Sequence, residues 1–347
     1  MTLLKNILLA TAVAGVALTS AAVEARTQIR VVGSSTVYPF TTAVAEQFRQ
    51  RFPQFGAPIV ESTGTGAGMK LFCAGVGAAH PDIENASRRI KKSEVEQCKA
   101  NGVTQILEIQ VGLDGLSLAQ AKSGAPLSVT TRDFYAALAA APWGKKQTAR
   151  TWKDVNAKYP ATKIEVIGPP PTSGTRDSFN ELLLKAGCDT NPAMAALKKA
   201  DEPKYNLTCT KMREDGAFVE GGENDNLIVQ KLISNPNAVG AFGYSYFEEN
   251  ADKLRDIPVN SVVASYDNIS SFKYPVSRPL YIYVKLQHVR AIRGLRELVA
   301  EYTKESTFGP KGYLAPRGLV AAPDSIRQKS AAAAAALTPL DLASIVK

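Results

Sequence analysis

The amino-acid sequence predicts an α/β fold in two domains, and three observations support this prediction. Short apolar strands, small polar turns and amphipathic helices follow one another at several points along the chain. A chain of 347 residues is long enough for two domains with substantial cores. With 45% hydrophobic and 21% charged residues, the composition is that of an ordinary globular protein.

The N-terminus has the pattern of a secretory signal peptide, to which we assign residues 1–25. Lys5 supplies the positive charge, residues 7–18 are apolar, and residues 23–25 form a small-residue cleavage site. The apolar segment is too short for a membrane anchor. The first cysteine is Cys73, so no lipid anchor is expected near the cleavage site. The sequence therefore predicts a free periplasmic or secreted protein.

Two turns in the first part of the mature chain combine glycine with hydroxyl side chains. Residues 29–32 predict a strand, residues 33–36 (GSST) a turn, and apolar residues at helical spacing follow. A second predicted strand, residues 58–61, leads into the glycine-rich segment 62–68. In an open α/β sheet such turns lie at the carboxyl edge of the strands, where ligands bind. A flexible loop is the alternative for the second turn.

A third turn of the same kind lies near the middle of the chain. A predicted strand, residues 164–167, is followed by three prolines and then by the segment 172–176 (TSGTR), which precedes a helix. Backbone N–H groups at a helix N-terminus favour an anion, and the hydroxyls and the guanidinium add further donors. An ordinary helix N-cap is the alternative. The two similar turns upstream favour the anion site.

The chain is expected to cross between its two domains twice. The strand 105–111 and the glycines after it predict the first crossing, and the segment near residues 271–273 predicts the return. We therefore assign residues 26–112 plus 272–347 to domain I and residues 113–271 to domain II. The alanine-rich C-terminal segment is expected either to form a helix on domain I or to fray.

The four cysteines are consistent with export to an oxidising compartment. Cys73 and Cys98 flank one segment, and Cys188 and Cys209 flank another, so we expect each neighbouring pair to form a disulfide. A zinc site is the alternative. It is disfavoured because CxxC spacing is absent and the two histidines, His80 and His288, are far apart in sequence.

The formal net charge of +9 is compatible with nucleic acid, a membrane surface or a small anion as partner. Nucleic acid is disfavoured because the sequence has neither a long Lys/Arg run nor a basic–aromatic stripe. Steering of a small anion fits better, and charge that serves only solubility is the alternative. The sequence also lacks the GxxxxGK[ST], GxSxG and HExxH motifs, so we predict no catalytic residue, no metal site and no cofactor.

Four segments carry a family resemblance: residues 33–39 (GSSTVYP), 62–68 (STGTGAG), 86–88 (ASR) and 172–177 (TSGTRD). Together they resemble the PstS-like family, the periplasmic phosphate-binding proteins of bacterial phosphate ABC transporters. The resemblance implies a two-lobed periplasmic binding protein of type II-like fold, in which two mixed-sheet α/β domains are joined by a two-strand hinge. One dehydrated phosphate would be held between the lobes.

The resemblance also implies which residues bind the anion. The expected donors are the hydroxyl and backbone groups of Ser35, Thr36, Thr65, Ser173, Gly174 and Thr175. This chain has Arg88 where many family members carry an aspartate that accepts a proton from phosphate. It has Pro169 where many carry an arginine, and we expect Arg176 to replace that charge. Arg88 and Arg176 would then be the two arginines that hold the anion.

Without the usual aspartate, discrimination against sulfate must come from another residue or be weaker. Asp215, Glu220 and Glu223 are candidate replacement acceptors, and a solvated loop is the alternative interpretation of these residues. The function that the resemblance implies is an extracytoplasmic phosphate receptor, expected to be monomeric, that delivers phosphate to an ABC permease. Two alternatives stay open: a receptor for sulfate or arsenate, and an extracytoplasmic phosphomonoesterase that uses the same pocket.

Overall fold

The structure is a computed structural model that describes residues 26–171 and 173–346. The predicted signal peptide, residues 1–25, lies outside the described residues. Among the helices in these two ranges, none combines the length and the apolar character that a membrane crossing requires.

The described strands form one mixed β-sheet. In chain order they are β1 (Arg30–Gly33), β2 (Ile59–Ser62), β3 (Ile83–Ala86), β4 (Ile106–Ala121), β5 (Val166–Gly168), β6 (Phe218–Glu220), β7 (Val239–Gly243), β8 (Leu254–Asp256) and β9 (Ser277–Lys285). The strand order is β2-β1-β3-β9-β4-β7-β5-β6, and β8 pairs with β4 outside this path.

Helices cover the sheet on both of its halves. In the first part of the chain they are α1 (Tyr38–Arg51), α2 (Thr65–Phe72), α3 (Lys92–Ala100), α4 (Thr131–Leu138) and α5 (Trp152–Val155). A continuous helical segment follows, made of α6 (Gly174–Ser178), a π-helical stretch (Phe179–Lys185) and α7 (Ala186–Cys188). The remaining α-helices are α8 (Pro192–Ala200), α9 (Glu202–Thr210), α10 (Asp225–Ser234), α11 (Tyr244–Glu249), α12 (Tyr266–Ser270), α13 (Leu295–Tyr302), α14 (Glu305–Phe308), α15 (Asp324–Ala336) and α16 (Ala343–Val346).

The sheet divides into two lobes that share two long strands. In lobe I, β1 pairs in parallel with β2 and with β3. In lobe II, β5 pairs in parallel with β6 and with β7. The antiparallel strands β4 and β9 join these parallel halves, because β9 pairs with β3 and β4 pairs with β7. This arrangement confirms the predicted α/β fold with two mixed-sheet lobes.

The two connecting strands change register where they pass between the lobes. Residues 106–110 of β4 pair with residues 281–285 of β9, and residues 112–115 pair with residues 277–280. The register shifts between Gln110 and Gly112, as at a β-bulge, which bends and twists the strands locally. The predicted crossing at residues 112–113 lies next to this shift. The domain boundaries themselves stay a prediction.

Each lobe has its own hydrophobic core. In lobe I the cluster includes Phe40, Phe48 and Tyr302, which join α1 and α13 to the sheet. In lobe II it includes Phe134 and Trp152. Each lobe therefore has its own packed interior, in addition to the contacts along the shared strands β4 and β9.

Both predicted disulfides are present, which confirms the pairing by sequence proximity. Cys73 is bonded to Cys98, and Cys188 is bonded to Cys209. The first bond ties the end of α2 to α3, and the second ties α7 to α9. By the chain-entropy model, closing loops of 25 and 21 residues contributes about 3 kcal/mol each to the free energy of unfolding.

Candidate functional site

The first turn follows β1 and leads into α1. Gly33 has a φ of +125°, and a Cβ there would clash with the backbone carbonyl of Asn85, so glycine is required. The backbone N–H of Thr36 donates to Ser34 Oγ at 3.2 Å. The side chains of Ser34, Ser35 and Thr36 are all buried. Ser35 Oγ has no hydrogen-bond partner among the described residues, which leaves a buried hydroxyl available at this turn.

The second turn packs directly against the first. A Cβ on Gly68, in the first turn of α2, would lie 2.6 Å from Gly33 Cα, so the two segments can approach closely only as glycines. Thr65, the first residue of α2, is fully buried, and its Oγ1 accepts a hydrogen bond from Ser87 N at 3.2 Å. The two lobe I turns and the end of β3 therefore form one surface.

The third turn belongs to lobe II and contacts the first turn. Ser173 Oγ accepts a hydrogen bond from Thr175 N at 3.1 Å, so Ser173 caps α6, as the alternative interpretation proposed. Thr175 is fully buried, and its Oγ1 lies 2.8 Å from Thr36 Oγ1, within hydrogen-bond distance. This contact joins residues that are 139 positions apart and brings two of the three predicted turns to one point between the lobes.

An arginine that sequence reasoning missed lies at this point. Arg278, near the start of β9, is only 3% exposed. Its Nη2 donates to Thr36 Oγ1 at 2.9 Å and to Thr175 Oγ1 at 3.2 Å, and its Nη1 donates to Ser178 Oγ at 3.0 Å. A charged residue directly before the apolar segment 279–284 was the signal available in the sequence.

The Arg278 guanidinium is held by a buried carboxylate on the neighbouring strand. Asp114 Oδ2 accepts from Nε at 2.9 Å and from Nη2 at 2.8 Å, while Oδ1 accepts from Tyr244 N at 2.9 Å. Burial raises the pKa of Asp114, and the nearby Arg278 charge opposes that rise. The pair fixes the cation at the crossing of the two lobes.

Two further carboxyl groups are buried around the turns. Asp225, the first residue of α10, is fully buried, and burial raises its pKa to about 7. Its Oδ2 accepts a hydrogen bond from Gly243 N at 3.1 Å. Glu84, on β3, lies beneath the first two turns, close to Gly33 and Gly68, and burial raises its pKa well above the ordinary value.

The two predicted arginines lie in different surroundings. Arg88 Nε donates to Asp177 Oδ2 at 2.6 Å and its Nη2 to Glu94 Oε1 at 2.7 Å, so it ties lobe I to α6 of lobe II. Arg176 Nη1 donates to Pro169 O at 2.6 Å, and its guanidinium lies 4.5 Å from the centre of the Phe218 ring. The structure does not bring Arg176 to the point where the threonines and Arg278 meet.

The three predicted acceptors have different partners. Asp215 pairs with Arg213 and Arg150, and its hydrogen bond to Arg213 is the main reason that its pKa is lowered. Glu220 lies 3.8 Å from Arg176 and is about half exposed. Glu223 lies close enough to Asp225 for its charge to contribute to the raised pKa of that residue.

A cavity of about 450 Å³ adjoins this site and is lined by both lobes. Ser87, Arg88 and Lys91 line it from lobe I, while Asp177 and Ser178 line it from lobe II, and Arg278 lies on its wall. The cavity therefore reaches the side chain of Arg278. Lys91 Nζ lies 3.0 Å from Asp177 Oδ2, so a second ion pair crosses between the lobes beside Arg88.

The arrangement is suited to binding an anion. Buried hydroxyls, helix N-termini and a fixed guanidinium are all donors, and they come from both lobes. In residues 26–171 and 173–346, no group of three or more His, Cys, Asp or Glu side chains is positioned to hold a metal ion. His288 is engaged elsewhere, because its Nδ1 lies 2.6 Å from Asp82 Oδ1 and its Nε2 accepts from Gly77 N.

Comparisons with known proteins point to phosphate-binding proteins. The chain is 36% identical over 270 residues to protein SphX of Synechococcus elongatus, covering 76% of this chain and 69% of the relative. It is 28% identical over 280 residues to phosphate-binding protein PstS of Staphylococcus saprophyticus, covering 78% and 74%. Among solved structures, a possible phosphate-binding protein from Planctomyces limnophilus matches with a TM-score of 0.57 at 28% identity, covering 90% of this chain and 98% of that one.

A two-lobed fold with buried hydrogen-bond donors between the lobes is typical of solute-binding proteins. A family model described as a PBP superfamily domain matches residues 19–307, which is most of the chain. The chain therefore belongs to the PBP superfamily, as a PstS-like member of it.

Proposed function

We propose that this protein is an extracytoplasmic receptor that binds inorganic phosphate between its lobes and delivers it to the permease of an ABC transporter. The observation that carries the proposal is the meeting of Thr36, Thr175 and Arg278 at one buried point. Relatives that are named for phosphate binding support the choice of anion. The predicted signal peptide and the two disulfides support a periplasmic location, and we expect a monomer.

The donors come from all three turns, and each lobe contributes. Ser35, Thr36 and Thr65 serve from lobe I, while Ser173, Gly174 and Thr175 serve from lobe II. Arg278 supplies the positive charge, in the role that the sequence suggested for Arg176. Arg88 holds the two lobes together through its ion pair with Asp177, beside the site.

The energetics are sufficient for a receptor. A hydrogen bond to a charged group contributes about 1.5–3 kcal/mol net. Micromolar affinity requires about 8 kcal/mol, so a few such bonds supply it even after the cost of association. Exclusion of water from the closed site strengthens each of these bonds, because the effective dielectric constant falls.

Calorimetry with phosphate, arsenate and sulfate tests the proposal. We expect the wild-type protein to bind phosphate, and we expect Thr36→Val and Thr175→Val to weaken binding while the fold is kept. Thr303→Val is a matched control, because Thr303 is a buried threonine at the C-terminus of α13 whose hydroxyl donates to Val299 O of that helix. Sulfate binding as tight as phosphate binding would instead indicate a general oxyanion receptor. Absence of phosphate binding would contradict the proposal.

A turnover assay separates the receptor from the phosphomonoesterase alternative. A receptor that only binds and releases phosphate is expected to leave a generic aryl phosphate intact. Sustained release of phosphate from the purified protein, abolished by Thr175→Val, would show that the same pocket catalyses hydrolysis and would overturn the assignment as a receptor.

A further inference from the structure

The carboxyl group of Asp225 is buried but only partly hydrogen bonded. The side chain has no exposed surface, and Oδ2 accepts one hydrogen bond, from Gly243 N at 3.1 Å. Oδ1 has no hydrogen-bond partner within the described part of the chain. Buried polar atoms are nearly always hydrogen bonded, and an unsatisfied one is costly, so this oxygen is free to accept a hydrogen bond from a ligand that reaches it.

The carboxyl lies at the corner where the first turn meets lobe II. The position that a Cβ on Gly243 would take is 3.0 Å from Thr36 Cγ2 and 3.6 Å from both Asp114 Oδ1 and Asp225 Oδ2. Any side chain at Gly243 would therefore separate Asp225 from Thr36. Ser35, whose hydroxyl is also unpartnered among the described residues, is anchored at the same corner, because its carbonyl accepts from Tyr246 OH at 3.2 Å.

The charged and titratable groups that face Asp225 do not neutralise it. Arg278 attracts it, but the ion pair of that guanidinium at 2.8 Å is with Asp114. Asp114 and Glu223 both disfavour its ionised form, and Tyr246 faces it from α11. Burial is the largest cause of the raised pKa, to about 7. Asp225 can therefore change its protonation state near neutral pH, beside the anion donors.

We propose that Asp225 determines the anion specificity of the site by accepting the proton of bound hydrogen phosphate. The proposal rests on the proposed function. Ionised Asp225 is only an acceptor, so it pairs with the P–OH of hydrogen phosphate but faces the bare oxygens of sulfate unfavourably. The acceptor proposed here belongs to lobe II, where Asp225 is the first residue of α10.

The same carboxyl gives the specificity a pH dependence with a defined sign. At about pH 8 Asp225 is mostly ionised and rejects sulfate, given its pKa of about 7. At about pH 5.5 it is mostly protonated, and its O–H can donate to an oxygen of sulfate. Sulfate affinity is therefore expected to rise as pH falls, while the affinity for phosphate, which carries its own protons at both pH values, changes less.

Competitive calorimetry with phosphate and sulfate at these two pH values tests the proposal. In the wild type we expect sulfate affinity to rise up to about tenfold on acidification, because the protonated fraction of a carboxyl with a pKa of about 7 rises about tenfold between these two pH values. In Asp225→Asn the amide donates at every pH, so sulfate should bind better at about pH 8 than in the wild type and its affinity should no longer depend on pH.

Asp256→Asn is the matched control. Burial also raises the pKa of Asp256 to about 7, and its Oδ2 likewise accepts one backbone N–H, from Ala264, but it lies at the end of β8. This variant should keep the wild-type selectivity and its pH dependence. A melting temperature for each variant, measured without anion, shows that the fold is kept.

The outcomes separate this inference from the function on which it rests. Phosphate binding together with unchanged selectivity in Asp225→Asn overturns the role of Asp225 and leaves the receptor intact. If the pH dependence of sulfate affinity persists in Asp225→Asn, the role of Asp225 is also overturned. Another buried carboxyl, such as Glu84, would then be responsible for that pH dependence. The wild-type pH comparison is decisive even if Asp225→Asn does not fold, since a flat sulfate affinity contradicts the proposal. No phosphate binding by the wild type refutes the proposed function itself.

Discussion

Replacing Arg278 with methionine tests the centre of the site, because methionine keeps most of the apolar length and removes the charge. The guanidinium contacts Thr36 and Thr175, so its loss should remove at least one charge-assisted bond to the anion. One such bond is about 1.5–3 kcal/mol, which corresponds to a roughly ten- to hundredfold weaker affinity for phosphate.

The same substitution also affects stability, and the two effects can be separated. Asp114 is 3% exposed and would lose its partner, and breaking a buried ion pair costs about 3–5 kcal/mol. In the double variant Arg278→Met/Asp114→Asn no charge is left unpaired, and the amide oxygen can still accept from Tyr244 N. We expect the double variant to recover much of the melting temperature but none of the lost affinity.

The assay is calorimetric titration with phosphate beside thermal unfolding of the anion-free protein, with Arg176→Met as the comparison. Because Arg176 lies on the Phe218 ring and bonds Pro169 O, its removal should weaken binding less than removal of Arg278. If the double variant binds phosphate as tightly as the wild type, Arg278 does not contact the anion. If Arg176→Met loses more affinity than Arg278→Met, the positive charge at the anion comes from Arg176, as the sequence suggested.

Three further predictions follow from other contacts. Thr175→Val should weaken phosphate binding roughly tenfold with little change in melting temperature, measured by calorimetry and unfolding, because one donor is lost. Asp177→Asn removes two partly exposed ion pairs between the lobes, with Arg88 and Lys91, so stopped-flow should show phosphate release a few-fold faster, an effect that added salt mimics. The folded-state pKa of Asp256 is raised from 3.8 to about 7, so its contribution to the free energy of unfolding is lost as pH rises across that range, and Asp256→Asn should flatten the profile.

Local sequence signals were sufficient to predict the framework of the fold. The β-branched residues of β1 and the spacing of apolar residues in α1 each depend on neighbours close in sequence. The three turns could be located because glycine and hydroxyl residues between a predicted strand and a predicted helix are a local sequence signal. The disulfides followed from proximity in sequence.

The residues that form the site are brought together by contacts between distant parts of the chain, which no local sequence pattern predicts. Arg278 meets Thr36 across 242 positions, and their meeting depends on the register of β4 and β9 near the shift at Gln110. The direction of Arg176 follows from helix geometry. Successive helical residues point roughly 100° apart, so Arg176 cannot share the direction of Thr175. Which of Thr175 and Arg176 faces lobe I depends on how the two lobes pack against each other.

A crystal structure of the protein with phosphate tests the central claim most directly. We predict one anion between the lobes, within hydrogen-bond distance of the Thr36 and Thr175 hydroxyls and of an Arg278 Nη atom. An anion bound at another surface, or lobes that close without these three side chains reaching it, would contradict the proposed receptor site.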